Sequence, residues 1–288
     1  MTYRGRFAPS PTGQLHFGSL VAAVGSWLCA RHAGGAWLVR MEDIDPPREV
    51  AGSAAGILAA LPAFGLVADA PALFQSQRSA AYDAAFEQLR VSGRLFPCWC
   101  SRSELAANGG MHRDAQCVAA ADPDRPPAWR LRVPDVEVAF DDALQGPQRE
   151  NLRESVGDFV IRRAEGFYSY QLACVVDDAF QGISEVVRGS DLLDSTARQI
   201  WLQRCLDLPT PAYRHLPLVM DAQGRKLSKS EQACPVDQAN PLPALRQALV
   251  FLQLPVSTAA TDVQGLLAHA LADFGPALLP QCSGHSAA

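Results

Sequence analysis

Lysine is almost absent from this chain. Of its 25 basic residues only Lys226 and Lys229 are lysine, and the other 23 are arginine. A general drift of composition toward arginine explains the 23, but it does not explain why two lysines remain three residues apart in "GRKLSKSEQ". Lysine is a compact ammonium on a flexible stem, whereas arginine is a wide planar fork. The pair therefore indicates a loop that needs a small, moving cation at phosphate, in preference to an ordinary solvated basic turn.

Long apolar runs and strong positive charge are also missing. No stretch reaches the roughly 18 apolar residues of a membrane span, and the opening "MTYRGRFAPSPTG" lacks the apolar core of a signal peptide. We therefore expect a cytoplasmic protein with no membrane partner, whose eight cysteines stay reduced. The net charge of -5 excludes a generally basic nucleic-acid binder. Any RNA must then be held by a local arginine patch.

What the first 65 residues do contain is an alternation typical of an α/β fold. Residues 5–9 and 36–43 are predicted to be short buried strands, and residues 18–34 and 49–65 to be helices. Pro62 is expected to end or kink the second helix. Strand, helix and strand at this spacing form a βαβ unit. We therefore expect a parallel sheet that binds ligands at the carboxyl ends of its strands.

The loop "FAPSPTGQLHFGSL" leads into the first predicted helix. Free backbone N–H groups at a helix start attract anions. Gly18 lets a ligand approach the backbone closely, and His16 offers a ring N–H to phosphate oxygens. Taken alone, these residues fit either a phosphate site or an ordinary helix cap.

A cysteine-rich stretch, "CWCSRSELAANGGMHRDAQC", places Cys98, Cys100, His112 and Cys117 within 20 residues. Four such ligands suit a closed tetrahedral zinc site, although the C-x-C spacing is tighter than usual. Three unliganded thiols and a surface histidine are the alternative. The remaining cysteines are scattered and are expected to be inert thiols: Cys29, Cys174, Cys205, Cys234 and Cys282.

Taken together, "HFGS" and "KLSKS" resemble the HIGH and KMSKS signatures of class I aminoacyl-tRNA synthetases. The strings "RFAPSPTGQLHFGSL", "RMEDIDPPR" and "VVRGSDLL" are similar to the glutamyl branch of that family, and the resemblance covers residues 4–235. The departures, Phe17, Ser19 and Leu227, are substitutions that this branch commonly shows. The resemblance implies a Rossmann-type parallel sheet with a zinc-bearing insertion and a small helical C-terminal region.

The same resemblance implies how ATP is bound and activated. His16, Gly18, Ser19 and Lys229 are the expected ATP-binding residues, and His16, Lys226 and Lys229 the expected catalytic ones. Lys229 matches the lysine of a mobile loop that neutralises charge growing on the pyrophosphate leaving group. Such a site acts by charge stabilisation in the transition state rather than by covalent catalysis. Mg²⁺ is expected to accompany ATP.

The amino-acid pocket is carried over from the resemblance residue by residue. Arg6 matches the arginine that pairs with the side-chain carboxylate of glutamate, for which its fork is suited. Glu42 matches the acid that holds the substrate ammonium. The other expected pocket residues are Phe7, Ala8, Pro9, Ser10, Tyr170 and Arg188. Without the resemblance, Tyr170 is equally a core aromatic and Arg188 a surface ion pair.

Two expectations about metals follow. The resemblance implies a structural zinc at Cys98, Cys100, His112 and Cys117, with His112 standing where some relatives have tyrosine. Asp43 and Asp45 are expected to shape their loop. A paired-carboxylate metal site across residues 42–45 is the competing interpretation.

A shortened, zinc-bearing branch of the family, the glutamyl-Q tRNA(Asp) synthetases, is most similar in "HFGSLVAAVGSWL", "EDIDPPREV" and "HLPLVMDAQGRKLSKS". It implies ATP-dependent activation of L-glutamate and transfer of the glutamyl group to queuosine in the anticodon of tRNA(Asp). The expected partners are glutamate, ATP and the anticodon stem-loop that carries queuosine, and the expected state is a monomer.

Four regions are expected along the chain. Residues 1–94 and 151–235 form the two halves of the catalytic domain, residues 95–150 the zinc-bearing insertion, and residues 236–288 a short helical tail. Only 58 residues follow Ser230, so we expect no anticodon-binding domain.

Three other functions remain open. The first is a truncated glutamyl-tRNA synthetase that charges a tRNA 3′ end. The second is a HIGH-motif nucleotidyltransferase that acts on a small molecule, which would show ATP–pyrophosphate exchange without glutamate. The third is a zinc module that binds RNA and has lost catalysis, which would show no exchange with any amino acid.

Replacing Lys229 with arginine tests the lysine loop. We expect Lys229→Arg to lose roughly 10²- to 10³-fold in the rate of glutamate activation, as removal of one transition-state contact does, while glutamate still binds. ATP–pyrophosphate exchange measures this rate. An exchange rate equal to that of the wild type would contradict both the role of Lys229 and the explanation for the two retained lysines.

Overall fold

The computed structural model describes residues 2–220 and 235–281. The lysine loop with Lys226 and Lys229 lies outside these residues, so its role stays a prediction. The strands in the described part are β1 (Arg4–Phe7), β2 (Ala36–Met41), β3 (Leu73–Phe74), β4 (Leu95–Cys98), β5 (Ala128–Leu131), β6 (Glu137–Asp142), β7 (Gly146–Asn151), β8 (Phe159–Arg162), β9 (Glu185–Gly189) and β10 (Ala212–Leu216). The helices there are α1 (Phe17–His32), α2 (Ser53–Ala63), α3 (Ser79–Val91), α4 (Arg102–Ala107), α5 (Leu152–Ser155), α6 (Tyr170–Gln181), α7 (Leu193–Cys205), α8 (Pro241–Phe251) and α9 (Val263–Ala272).

Parallel strands form the centre of the molecule, as the βαβ pattern predicts. Strands β1, β2 and β3 pair in parallel, and β10 pairs in parallel with both β9 and β6. The two groups meet where β1 lies beside β9, and there the backbone N–H of Ser184 donates to the carbonyl of Arg4 at 2.9 Å. The α/β prediction is confirmed.

The predicted elements of the first 65 residues are present with small shifts at their ends. The second helix begins at Ser53 instead of residue 49 and ends at Ala63, one residue beyond Pro62. Gly65 then adopts a φ of 71°, a left-handed conformation that glycine adopts without strain. The proline therefore sits in the last turn of the helix, where it ends the element without kinking its centre.

Alternation along the strands divides the interior into two cores. In β2, Trp37 and Val39 contribute to a core with α1, α2, α8 and α9, whereas Leu38 contributes to a second core with α3, α6 and α7. Val187 and Val186 of β9 divide in the same way. Successive side chains of a strand point to opposite faces, so the sheet is covered by helices on both sides.

The second face of the sheet also carries buried polar side chains. They point to the same face of the sheet as the apolar residues of the second core. They are Arg6 in β1, Arg40 in β2, Arg188 in β9 and His215 in β10, each at most 5% exposed. Helices α6 and α7 cover this face. The pleat of four neighbouring strands thus gathers their polar groups into one layer.

Strand pairing crosses the boundaries expected for the insertion. Strands β4 and β5 pair antiparallel, and β5 pairs with β8, which follows residue 150. The β6–β7 hairpin, predicted as part of the insertion, joins the edge of the catalytic sheet through β10. The division into four regions therefore stays a prediction. Periodicity along one strand shows which face is buried, but it does not identify the partner strand.

The C-terminal helices are part of the main core. Both α8 and α9 pack on α1, and Leu245, Leu249 and Leu266 are fully buried in the first core. Among the helices of residues 2–220 and 235–281, none is both long and apolar enough to cross a membrane.

Candidate active site and metal cluster

A cleft of about 890 Å³ opens at the carboxyl ends of β1, β2, β9 and β10. It is lined by each predicted amino-acid and ATP residue that lies in the described part of the chain: Arg6, Phe7, Ala8, Pro9, Ser10, His16, Gly18, Ser19, Glu42, Tyr170 and Arg188. These residues come from positions up to 182 apart in the sequence. The structure therefore brings them together, as the parallel-sheet prediction requires.

His16 caps the helix that borders the cleft. Its Nδ1 accepts a hydrogen bond from the backbone N–H of Ser19 at 3.2 Å, and its Nε2 lies 3.0 Å from the Ser19 hydroxyl oxygen. A Cβ atom at Gly18 would lie 3.3 Å from Cε1 of His16. Glycine therefore lets the imidazole ring lie along the helix start, where backbone N–H groups favour an anion.

The chain contacts the start of this helix again at Pro235 and Val236. Pro235 pairs with His16 in an isolated antiparallel bridge, and the N–H of Val236 donates to the carbonyl of Leu15 at 2.9 Å. Val219 and Pro235, which lie on either side of residues 221–234 in the sequence, both line the cleft.

Asp178 lies between two buried arginines beneath the cleft. Its Oδ1 accepts from Nε of Arg6 at 3.1 Å and from Nη1 of Arg40 at 2.7 Å. Nη2 of Arg40 in turn donates to Glu42 at 3.3 Å. Two guanidinium groups and two carboxylates therefore balance within one cluster, which fixes Arg6 and Glu42 relative to each other.

Burial and charge set the protonation of these carboxyl groups. Burial raises the pKa of Glu42, and the charges of Arg40 and Arg6 oppose that rise. For Asp178 burial also acts upward, but the guanidinium groups of Arg40 and Arg6 outweigh it and hold its pKa at about 2. Asp178 is thus a carboxylate at neutral pH, as two buried arginines require.

Arg188 uses every N–H of its guanidinium inside the protein. Nε donates to His215 at 2.9 Å, Nη1 to Gln199 at 2.8 Å and to the Tyr170 hydroxyl at 3.4 Å, and Nη2 to Thr196 at 2.8 Å and to the Leu192 carbonyl at 3.2 Å. Arginine has five N–H donors, and all five directions are taken. Arg188 therefore acts on the cleft through its positive charge and through its hydrogen bond to Tyr170.

The two carboxylates after β2 are engaged by residues other than Glu42. Asp43 accepts from the backbone and hydroxyl of Ser76, and Asp45 forms ion pairs with Arg48 and Arg163. Both acids therefore shape their loop, as predicted. Among the described residues, one group of three or more His, Cys, Asp or Glu side chains could hold a metal ion, and it consists of cysteines and one histidine.

That cluster is formed by Cys98, Cys100, His112 and Cys117, whose ligand atoms all lie within 4.8 Å of one another. Tetrahedral zinc with Zn–S bonds of about 2.3 Å requires sulfur atoms about 3.8 Å apart, so small movements suffice. Nε2 of His112 is buried and has no hydrogen-bond partner in the described part of the protein. A buried, unpaired ring nitrogen beside three thiols is the donor set of a metal site.

Asp158, which the sequence reading missed, orients His112. Its Oδ2 lies 2.9 Å from Nδ1 of His112, and its oxygens also accept from the N–H groups of Ala115 and Val133. Gly157 has a φ of 66°, and a Cβ atom there would lie 2.2 Å from the carbonyl oxygen of His112. Glycine therefore allows the backbone contact that places Asp158 under the ring.

The sequence reading also missed Arg40 and Asp178. The signal was present, because Arg40 interrupts the apolar strand "AWLVRM" and Asp178 interrupts the apolar helix segment "ACVVDDAF". A charged residue inside a buried apolar run must find a partner of opposite charge.

Residues 2–252 match the family described as tRNA synthetases class I (E and Q), catalytic domain. A protein of Xanthomonas campestris pv. campestris (strain 8004) with the name glutamyl-Q tRNA(Asp) synthetase is 56% identical over 100% of this chain and 97% of its own length. The chain belongs to the glutamyl-Q tRNA(Asp) synthetase family. It is thus a ligase of the tRNA synthetase class, as predicted.

Another member of the glutamyl-Q tRNA(Asp) synthetase family, from Burkholderia mallei (strain ATCC 23344), is 52% identical over 98% of this chain and 99% of its own length. Among solved structures, a glutamate-tRNA synthetase from Elizabethkingia anophelis superposes with a TM-score of 0.80 at 23% identity. That superposition covers 99% of this chain and 68% of the other. The class I synthetase fold predicted from the sequence is confirmed.

Neutralising Asp178 tests the buried charge cluster. We expect Asp178→Asn to lower the free energy of unfolding at pH 7 by about 3–5 kcal/mol, since it leaves two buried arginines short of a counter-charge. The depressed pKa stabilises the wild type fully above pH 4, and this stability is lost as the pH falls toward about 2. The difference between the two proteins should therefore shrink over that range.

Urea denaturation at a series of pH values measures both effects. Asp45→Asn is the matched control, because it breaks pairs with Arg48 and Arg163, whose side chains are 74% and 39% exposed, and should cost about 1 kcal/mol or less. Equal losses in the two variants would contradict a special role for Asp178.

Proposed function

We propose that this protein activates L-glutamate with ATP and transfers the glutamyl group to queuosine in the anticodon of tRNA(Asp). The observation that carries the proposal is that one cleft contains a buried arginine, a buried carboxylate and a helix N-terminus. These are respectively a partner for a carboxylate, for an ammonium and for a phosphate. The names of the relatives that match over the whole chain support the same substrates.

The charges of the cleft fit glutamate. Arg6, Arg40, Asp178 and Glu42 sum to zero, and Arg188 adds one positive charge. Free glutamate carries two carboxylates and one ammonium, so its net charge is opposite in sign to the charge of Arg188. In this proposal Arg6 binds the side-chain carboxylate and Glu42 the ammonium, while Tyr170 accepts from Arg188 and keeps its own hydrogen to donate to the substrate.

The pocket is completed by the turn after β1. Phe7, Ala8, Pro9 and Ser10 line the cleft between Arg6 and the start of α1. Their backbone and the Ser10 hydroxyl would face glutamate on one side, and Glu42 on the other. The backbone N–H of Glu42 donates to the carbonyl of Pro9 at 3.0 Å, which ties the two sides together.

The first reaction joins glutamate to ATP. An α-carboxylate oxygen of glutamate forms a bond to the α-phosphorus, the bond from that phosphorus to the bridging oxygen breaks, and pyrophosphate leaves. His16, Gly18 and Ser19 would hold the phosphates at the helix start, with Mg²⁺ expected on ATP. Lys226 and Lys229, outside the described residues, are proposed to stabilise the charge on pyrophosphate.

In the second reaction a hydroxyl of the modified base attacks the carbonyl carbon of glutamyl-adenylate. The hydroxyl loses its proton, the new ester bond forms, and AMP leaves. Because the reacting group would lie in the anticodon loop, the stem-loop itself would have to enter the cleft. Splayed loop bases are the usual targets of sequence-specific RNA recognition.

We also propose that Cys98, Cys100, His112 and Cys117 hold a structural zinc ion. Asp158 would fix the His112 ring so that Nε2 is the ligand, as carboxylates beside metal-bound histidines do. The ion would tie the turn after β4 to the segment before β5. All four positions of a tetrahedron would be filled by protein, which suits a structural rather than a catalytic role.

Metal analysis tests the zinc proposal. We expect about one zinc per chain in protein purified without added metal, and little in a Cys98→Ser, Cys117→Ser double variant, because two of four ligands are removed. Cys29→Ser is the control, since Cys29 is a buried free thiol outside the cluster. Full zinc content in the double variant would mean that the ligands lie elsewhere.

Substrates that lack parts of the tRNA test the RNA proposal. We expect a minimal anticodon stem-loop with queuosine to be glutamylated, and removal of the terminal CCA from the whole tRNA to change little. The same stem-loop with unmodified guanosine is the control and should stay unreacted. If intact tRNA is glutamylated at its 3′ end and the stem-loop is not, the chain is a truncated charging enzyme. Exchange without glutamate would indicate a small-molecule nucleotidyltransferase.

A further inference from the structure

Arg188 is attached to a buried chain of hydrogen bonds that runs away from the cleft. Its Nε donates to Nε2 of His215 at 2.9 Å, and Nδ1 of His215 lies 2.6 Å from Oδ2 of Asp142. His215 is fully buried and Asp142 is 3% exposed. Asp142 is the last residue of β6, in the region expected from the sequence to be insertion. Neither of the two lines the cleft.

The arginine decides which nitrogen of His215 carries the proton. A guanidinium only donates hydrogen bonds, so Nε2 of His215 must accept and must be unprotonated. The proton of the neutral ring is then on Nδ1, which donates to Asp142. Burial, with the charge of Arg188, lowers the pKa of His215, and the Asp142 carboxylate opposes this. The ring therefore has one defined tautomer.

Asp142 is fixed in turn by the backbone. Its Oδ1 accepts from the N–H groups of Leu144, Gln145 and His215 at 3.0, 2.9 and 3.2 Å. Three donors on one oxygen leave Oδ2 directed at the imidazole. The carboxylate thus joins the end of β6 to β10 and sets the orientation of the ring at the same time.

We propose that Asp142 and His215 are positioning residues of the amino-acid pocket. Through the His215 lone pair they hold the guanidinium of Arg188, and through Arg188 the Tyr170 hydroxyl, in the orientation that binds glutamate. The proposal rests on the proposed function, since it names glutamate as the ligand. It makes strand β6, which lies between β7 and β10 in the sheet, part of the machinery of amino-acid recognition.

Asp142→Asn is a sharp test because its effect on the tautomer follows from the structure. The amide oxygen of the variant would take the place of Oδ1, where three N–H groups require an acceptor. Its NH₂ group would then face Nδ1 of His215, which can accept only if the ring proton moves to Nε2. That proton would point at the N–H of Arg188, and two donors would face each other across the former 2.9 Å contact. Loss of the correct tautomer by the same substitution disables a catalytic histidine elsewhere.

Substitutions of His215 provide the second arm. His215→Leu removes the acceptor for Arg188, whereas the amide oxygen of His215→Gln reaches the place of Nε2 and keeps it. Asp177→Asn is the matched control. Asp177 is fully buried and binds Gln75, Arg78 and Tyr82. None of these four residues lines the cleft. The Asp177→Asn variant should lose stability as Asp142→Asn does, without a change in the KM for glutamate.

The kinetic measurement is ATP–pyrophosphate exchange with glutamate and ATP titrated separately. We expect Asp142→Asn and His215→Leu to raise the KM for glutamate roughly tenfold or more, as loss of a hydrogen bond to a charged group does. The KM for ATP should stay near the wild-type value. His215→Gln should recover most of the loss, and Asp177→Asn should leave the glutamate KM unchanged.

The structural measurement is ¹⁵N NMR of the histidine ring nitrogens in the full-length protein. We expect the Nδ1–H tautomer for His215 in the wild type and the Nε2–H tautomer in Asp142→Asn. A wild-type Nε2–H tautomer, or an unchanged glutamate KM in both Asp142→Asn and His215→Leu, overturns the proposal. The proposal is also overturned if these variants raise the KM for ATP as much as the KM for glutamate, or if Asp177→Asn raises the glutamate KM equally. Absence of glutamate-dependent exchange in the wild type instead refutes the proposed function.

Discussion

Buried arginine charge under one face of the parallel sheet is the constraint on which the site depends. Arg6, Arg40 and Arg188 lie on neighbouring strands and point to the same side, away from water. A buried guanidinium needs a counter-charge or a full set of acceptors. Asp178 on α6 supplies the charge for Arg6 and Arg40, and side chains of β10 and α7 supply acceptors for Arg188. The helices that cover this face therefore supply polar partners for the arginines as well as apolar packing.

This arrangement gives the cleft a rigid floor. Each arginine has at least two hydrogen-bond partners within the protein, so its position does not depend on the substrate. Preorganised charge of this kind binds a small ionic ligand without the cost of ordering long side chains on binding. The guanidinium of Arg188 is already fully hydrogen-bonded. It acts on the cleft through its electric field and through Tyr170. A pocket of this type favours an acidic amino acid.

The same physical device appears twice in the part of the chain after β4. Asp158 fixes one nitrogen of His112 and leaves the other for the proposed metal, and Asp142 fixes one nitrogen of His215 and leaves the other for Arg188. In both pairs the carboxylate is held by backbone N–H groups. A carboxylate fixed in this way selects a tautomer, and the histidine then presents a lone pair in a defined direction.

Sequence alone determined the features that depend on short stretches of chain. The strand–helix alternation and the C-x-C pair follow from local period or spacing, and the α/β fold class came from that alternation. The residues that line the cleft came from the resemblance of short strings such as "RFAPSPTGQLHFGSL" and "VVRGSDLL" to the glutamyl branch. Only the tertiary structure decided which charges meet. Asp178 lies 172 positions from Arg6, and His215 lies 73 from Asp142. Likewise, β8 pairs with β5 and β6 with β10, because strand partners are decided by packing across the whole core. Local patterns record which face of an element is buried, but they do not record what it is buried against.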